Sequence, residues 1–104
     1  MEKIAFKMQL KPGCKKEYIR RHAAIWPEIR ALLKASGVSD YTIFLDEPSN
    51  TLFAVQMISG GRSSQALGTD AIVQKWWDYM ADISVTNADN SPVSVPLEQV
   101  FHMD

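Results

Sequence analysis

His22 puts a titratable ring near the middle of the apolar face of a helical stretch. From Lys15 to Lys34, at ~100° per residue, Tyr18, His22, Ile25, Ile29, Leu32 and Leu33 fall in one narrow sector, with Trp26 on its edge. Imidazole changes charge near neutral pH, its unperturbed pKa being about 6.5. An inward histidine one turn from a tyrosine is therefore placed for acid/base work. The competing reading is a core histidine satisfied by a backbone carbonyl, and the helical pattern alone leaves both open.

The adjacent pair Trp76-Trp77 is the second unusual feature. Neighbouring residues on a helix point ~100° apart, so one ring is expected at the centre of the core face. The other belongs at a boundary, a pocket or an interface, where a flat ring with one N–H donor is useful. Such a surface suits a sugar, whose axial C–H groups pack on the ring while its hydroxyls bond at the edges; core packing or a dimer contact is the alternative. Tyr41, near the start of a strand, could add a hydroxyl to the sheet face that receives the first helix. Arg20 and Arg21 could bind an anion or form a solvated charge pair. Asp78, Asp82 and Asp89 are candidate proton acceptors without a fixed partner.

The elements that must position these residues read clearly. Ile4 to Leu10 alternates apolar and polar residues, the period of a half-buried strand, and Pro12-Gly13 ends it. Pro27 removes a backbone donor and should kink the Lys15–Lys34 helix or divide it, so that the Trp26-Pro27 step shapes a pocket wall. Gly37 follows where a helix C-terminus favours positive φ. Val38 to Leu45 and Thr51 to Ile58 flank the turn Asp46-Glu47-Pro48-Ser49-Asn50, which predicts an antiparallel hairpin. Gly60-Gly61 opens a second helical region, with Asp70 as N-cap for Ala71 to Met80. After the polar stretch Thr86 to Pro96, Leu97 to Met103 is expected to supply the last strand. The order β-α-β-β-α-β predicts an α+β, ferredoxin-like domain, four antiparallel strands with two helices on one face.

At 104 residues the chain fits one domain, residues 1–104, and a domain of this size commonly gains stability or closes a pocket by pairing with a copy of itself. The net charge of −1, with basic and acidic residues interleaved, offers no stripe for a phosphate backbone, so nucleic acid is not an expected partner. No apolar run approaches the ~20 residues that span a bilayer, and Met-Glu-Lys-Ile-Ala enters a strand pattern without a signal-peptide core. With Cys14 as the single cysteine, the expected location is cytoplasmic. His22 and His102 lie far apart, and neither His-x-x-x-His, Cys-x-x-Cys nor a Gly-rich phosphate loop occurs, so no metal or organic cofactor is expected.

As a set, Tyr18-Ile-Arg-Arg-His22-Ala-Ala-Ile-Trp26-Pro27-Glu28, Tyr41 with Leu45-Asp46, Leu52-Phe53-Ala54, Trp76-Trp77-Asp-Tyr79-Met80 and Asp89-Asn90-Ser91-Pro92-Val93-Ser94 closely resemble the L-rhamnose mutarotase family, over nearly the whole chain. The resemblance implies a dimeric α/β barrel of ferredoxin-like subunits that interconverts the α and β anomers of L-rhamnose. It implies His22 as proton donor, with Tyr18, Tyr41, Trp76 and Trp77 contacting the sugar. The chain departs from the family between Ile58 and Asp70, where members tend to be bulkier and more acidic and this one reads Ser-Gly-Gly-Arg-Ser-Ser-Gln; the pocket rim, and with it sugar selectivity, turns on that stretch. The rival readings are a cofactor-free monooxygenase on a similar barrel and a non-catalytic small-molecule-binding dimer.

Overall fold

Alternation in Glu2–Gln9 (β1) sends Phe6 and Met8 to a buried face and Lys7 to the opposite one. This period recurs in Thr51–Ile58 (β3), where Leu52, Ala54, Gln56 and Ile58 are buried. The computed structural model describes all residues, Met1–Asp104. Its remaining elements are Lys15–Ala23 (α1), Pro27–Ala35 (α2), Val38–Asp46 (β2), a 3-10 turn at Ser64–Ala66, Ala71–Met80 (α3) and Val95–Leu97 (β4).

The four strands form one antiparallel sheet in the order β2-β3-β1-β4, an α+β architecture. Apolar side chains from the helices build one cluster, centred on Ile29, Val73, Trp76, Trp77 and Met80. The sheet supplies a second, including Phe6, Met8, Leu10, Leu52 and Ala54. Tyr18 packs against both clusters and so joins the two layers at the level of His22.

Pro27 divides the expected long helix rather than bending it. Trp26 takes an extended conformation as the N-cap of α2, and proline at the first helical position lacks only a donor that would be unpaired there anyway. Gly37 carries the positive φ expected of it, 92°, and a Cβ there would lie 2.6 Å from the Ser59 Oγ. Asp70 caps α3 by accepting the Ile72 N–H at 3.0 Å.

The last strand differs from the Leu97–Met103 expected from sequence. It is Val95–Leu97, with Leu97 opposite Ala5 and Val95 opposite Lys7. Beyond Ala5 in that direction β1 offers only Glu2 to Ile4, too little ladder for the seven residues from Leu97 onward. Pro96 is tolerated because β4 lies at the sheet edge. Val100, Phe101 and Met103 are left exposed.

Candidate functional site

A cavity of about 940 Å³ opens between the sheet and the helices, inside the ~300–1,000 Å³ range of small-ligand sites. Tyr18 and His22 of α1, Tyr41 of β2, and Trp76 and Trp77 of α3 all line it. The same five residues meet again around a smaller recess of about 60 Å³. All five candidate site residues therefore converge on one space.

His22 is held from three sides. Its ring stacks on Tyr18 at 4.2 Å between centroids and meets the edge of Trp76 at 5.6 Å. Its Nδ1 lies 3.0 Å from the Tyr18 carbonyl, which can only accept, so Nδ1 carries the proton. The backbone-bonded histidine of the competing reading is thus real, but that bond occupies one nitrogen and leaves Nε2 without a protein partner. Burial lowers the His22 pKa below its ordinary value, opposed by the bond to the Tyr18 carbonyl. At neutral pH the ring is neutral, with a bare Nε2.

The phenols behave differently. Burial, followed by the neighbouring Tyr41, pushes the Tyr18 pKa strongly upward. Burial also raises Tyr41, opposed by the nearby Ser64 hydroxyl. Both remain protonated near neutrality and are suited to hydrogen bonding rather than to removing protons. Tyr41 reaches this place through a β-bulge between Ser39 and Thr42, where Asp40 takes a left-handed φ of 47°.

Trp76 and Trp77 are both buried, at 8% and 7% exposure, and both line the cavity, a position expected for the ring not at the centre of the core. The second finds its cover locally: a Cβ on Gly68 would stand 2.6 Å from Trp77 Cζ3, so the chain after the 3-10 turn lies directly against that ring. Trp26 does not line the cavity, contrary to the pocket wall expected at Trp26-Pro27. It stands behind Trp76, edge-on at 5.1 Å, and stacks on Tyr79 at 5.5 Å.

The other candidates are engaged elsewhere. Arg21 bonds both oxygens of Asp82, at 2.8 and 3.1 Å, and the Tyr79 carbonyl, and its guanidinium lies 4.5 Å from the Tyr79 ring centroid. Arg20 and Arg21 also bond Glu17, and hold its carboxyl at about 2, Arg20 contributing most. These contacts pin α1 to the end of α3 and fix the approach of His22 to Trp76. Asp78 accepts from Asn90 and Gln74, and Asp89 from Ser91, outside the cavity lining.

A polar group of three residues supports the site: Gln56, which sequence did not single out, and Ser64 and Gln65, which line the cavity and belong to the stretch on which the pocket rim was expected to turn. Gln56, fully buried, donates from Nε2 to Ser64 Oγ at 2.9 Å and accepts the Ser64 N–H at 2.8 Å. Gln65 donates to the same hydroxyl at 3.2 Å. The available signal was Gln56 itself, a polar residue at an inward position between Ala54 and Ile58.

A family model described as L-rhamnose mutarotase matches residues 3–103. L-rhamnose mutarotases of Bacteroides thetaiotaomicron and Phocaeicola vulgatus are 62% and 60% identical to this chain, each aligned over the whole of both proteins. The crystal structure of an L-rhamnose mutarotase from Formosa agariphila superposes with a TM-score of 0.93 at 55% identity, covering all of both chains. An isomerase thus replaces the rival readings of a monooxygenase and a non-catalytic binder, and on sequence and architecture together the chain belongs to the L-rhamnose mutarotase family.

Proposed function

We propose that this protein interconverts the α and β anomers of L-rhamnose, with His22 Nε2 moving the proton and Tyr18, Tyr41, Trp76 and Trp77 holding the sugar. The observation that carries the assignment of His22 is its bond to the Tyr18 carbonyl, which fixes the tautomer and leaves Nε2 basic inside the cavity. Nε2 takes the proton of the anomeric hydroxyl and delivers it to the ring oxygen. The bond from C1 to the ring oxygen breaks as the carbonyl at C1 forms. After rotation about C1–C2, the hydroxyl on C5 attacks the other face, its proton passes to Nε2 and returns to the new anomeric oxygen. The sequence resemblance implied a donor; a neutral ring acts first as acceptor and then as donor within each turnover. One positioned acid/base group contributes roughly 10²- to 10⁴-fold, a useful gain for a reaction that already proceeds in water. Magnetisation-exchange NMR between the anomers of L-rhamnose, with the uncatalysed rate subtracted, tests this; exchange at the buffer rate with saturating sugar would overturn it.

The subunit is read as ferredoxin-like and as half of a dimeric α/β barrel. The sheet face turned away from the helices carries Phe44 opposite Phe53, with Val95 and Leu97 nearby, and all four are exposed. An apolar face of this kind is what a second copy would cover. Light scattering is expected to give twice the 11.7 kDa chain mass, falling to one chain in Phe44→Glu. A monomeric wild type at micromolar concentration would refute the pairing. A cytoplasmic location is proposed on the single unpaired cysteine, Cys14, which suits a reducing compartment; recovery in a membrane or exported fraction would count against it.

A further inference from the structure

Gln65 has one side-chain oxygen, and that oxygen is buried with no hydrogen-bond partner. Buried acceptors in native proteins are nearly always satisfied, so an orphan calls for an explanation. The residue lines both the main cavity and the recess beside Tyr18, His22, Tyr41, Trp76 and Trp77. Its amide is oriented by a chain of bonds that begins deep in the sheet. Gln56 Oε1 accepts the Ser64 backbone N–H, which can only donate, so Gln56 must present Nε2 to the Ser64 hydroxyl. Gln65 donates from Nε2 to the same hydroxyl at 3.2 Å, which turns its Oε1 away from Ser64.

We propose that Gln65 is a substrate-binding and selectivity-determining residue, its buried Oε1 accepting a hydrogen bond from one secondary hydroxyl of the sugar while Ser64 and Gln56 hold it in place. This rests on the cavity being the sugar site. A pyranose carries an O–H donor on most ring carbons, and stacking on the tryptophans brings those donors to the edge of the rings. A site built to bond a substrate hydroxyl rejects the analogue lacking it far more strongly than an apolar pocket discriminates by shape, because the protein's polar atom is left unpaired.

Calorimetric titration of wild type, Gln65→Met and Ser64→Ala with L-rhamnose and its 2-, 3- and 4-deoxy counterparts tests the assignment. Methionine keeps the length of glutamine without the acceptor. Wild type is expected to disfavour one deoxy sugar by roughly 10-fold or more, about 1.4 kcal/mol. Gln65→Met should lose roughly that factor for L-rhamnose, bind that one deoxy sugar like wild type, and keep wild-type discrimination against the others. Ser64→Ala should show the same pattern, weakened. Equal affinity of wild type and Gln65→Met for every sugar would overturn the proposal, and so would a uniform loss across all of them, the mark of a structural role. Tyr18→Phe, titrated in parallel, separates the two possible failures. If it weakens binding and Gln65→Met does not, Gln65 alone is misassigned; if neither matters, the cavity is not the sugar site and the proposal falls with it.

Discussion

Replacing His22 with asparagine separates the ring's structural bond from its chemistry. The carboxamide nitrogen of Asn reaches about as far as Nδ1 of His, so a donor to the Tyr18 carbonyl, now 3.0 Å from Nδ1, is retained. Nothing then stands where Nε2 was. The structural loss is the stack on Tyr18 at 4.2 Å and the edge contact with Trp76 at 5.6 Å. At ~0.5–1.5 kcal/mol for each aromatic contact, the two together are worth about 1–3 kcal/mol. A domain with ~5–15 kcal/mol of stability survives that, so His22→Asn is expected to fold with a lowered melting temperature. Anomer exchange should fall by roughly 10²-fold or more, a barrier increase of at least about 2.7 kcal/mol. His22→Gln is the complementary variant: its amide extends to the neighbourhood of Nε2 and can still bond the sugar, yet cannot carry a proton between oxygens. It should bind L-rhamnose within a few-fold of wild type and be as slow as His22→Asn. Magnetisation-exchange NMR on each folded variant, normalised by calorimetric binding, makes the comparison. Exchange close to wild type in folded His22→Asn would remove His22 from the mechanism and leave it a core residue bonded to a carbonyl.

Two further outcomes follow from the site. Because burial lowers the His22 pKa and the neutral ring is the competent form, the acid limb of kcat/KM should lie below about pH 6.5; a limb at or above that value would show that burial does not govern this group. The linked stability has the same sign: the unfolded chain binds the proton more readily, so His22's contribution is complete above about pH 6.5 and is lost as the pH falls below it. Gly68→Ala would place a methyl 2.6 Å from Trp77 Cζ3 and 2.9 Å from its Cη2, forcing the ring to move. It should cost about 1–3 kcal/mol of stability and weaken sugar binding, and unchanged calorimetric affinity in the folded variant would take Trp77 out of the sugar contacts.

What sequence could show here depended on whether a feature was local. Tyr18 and His22 share a face one turn apart, so the helical period alone placed them together, and their stack is the direct result. The hairpin, the Asp70 cap and the Gly37 terminus are also local, each written in residues within a few positions of one another. The last strand was misplaced because its position depends on where β1 runs out of partners, a fact about the opposite end of the chain. The burial of both tryptophans likewise depends on a segment outside α3. Helical geometry keeps adjacent rings apart, but the cover for Trp77 comes from the chain at Gly68, which no period of α3 announces.

The polar support under the site was the least legible part, and its logic explains why. Gln56 interrupts an inward-facing apolar row, a visible anomaly, but a buried amide must be satisfied and its partner cannot be read from the strand. The partner is Ser64, in the stretch expected to shape the pocket rim, but nothing in that stretch announces a bond to the sheet. Once Gln56 bonds both the backbone and the hydroxyl of Ser64, that loop is tied to the sheet. The helices thus supply the histidine and the flat rings, while the sheet, through one buried glutamine, orients Ser64 and Gln65 at the cavity wall. A substitution at Gln56 should therefore disturb sugar affinity without its side chain reaching the cavity: Gln56→Leu leaves the Ser64 N–H unpaired and frees the loop. The expected result is weaker binding in calorimetry with the pH profile of His22 unchanged, because α1 and its bond to the Tyr18 carbonyl are untouched. A shifted acid limb in that variant would mean that the loop and the proton carrier are coupled and that the division of labour between sheet and helices is wrong.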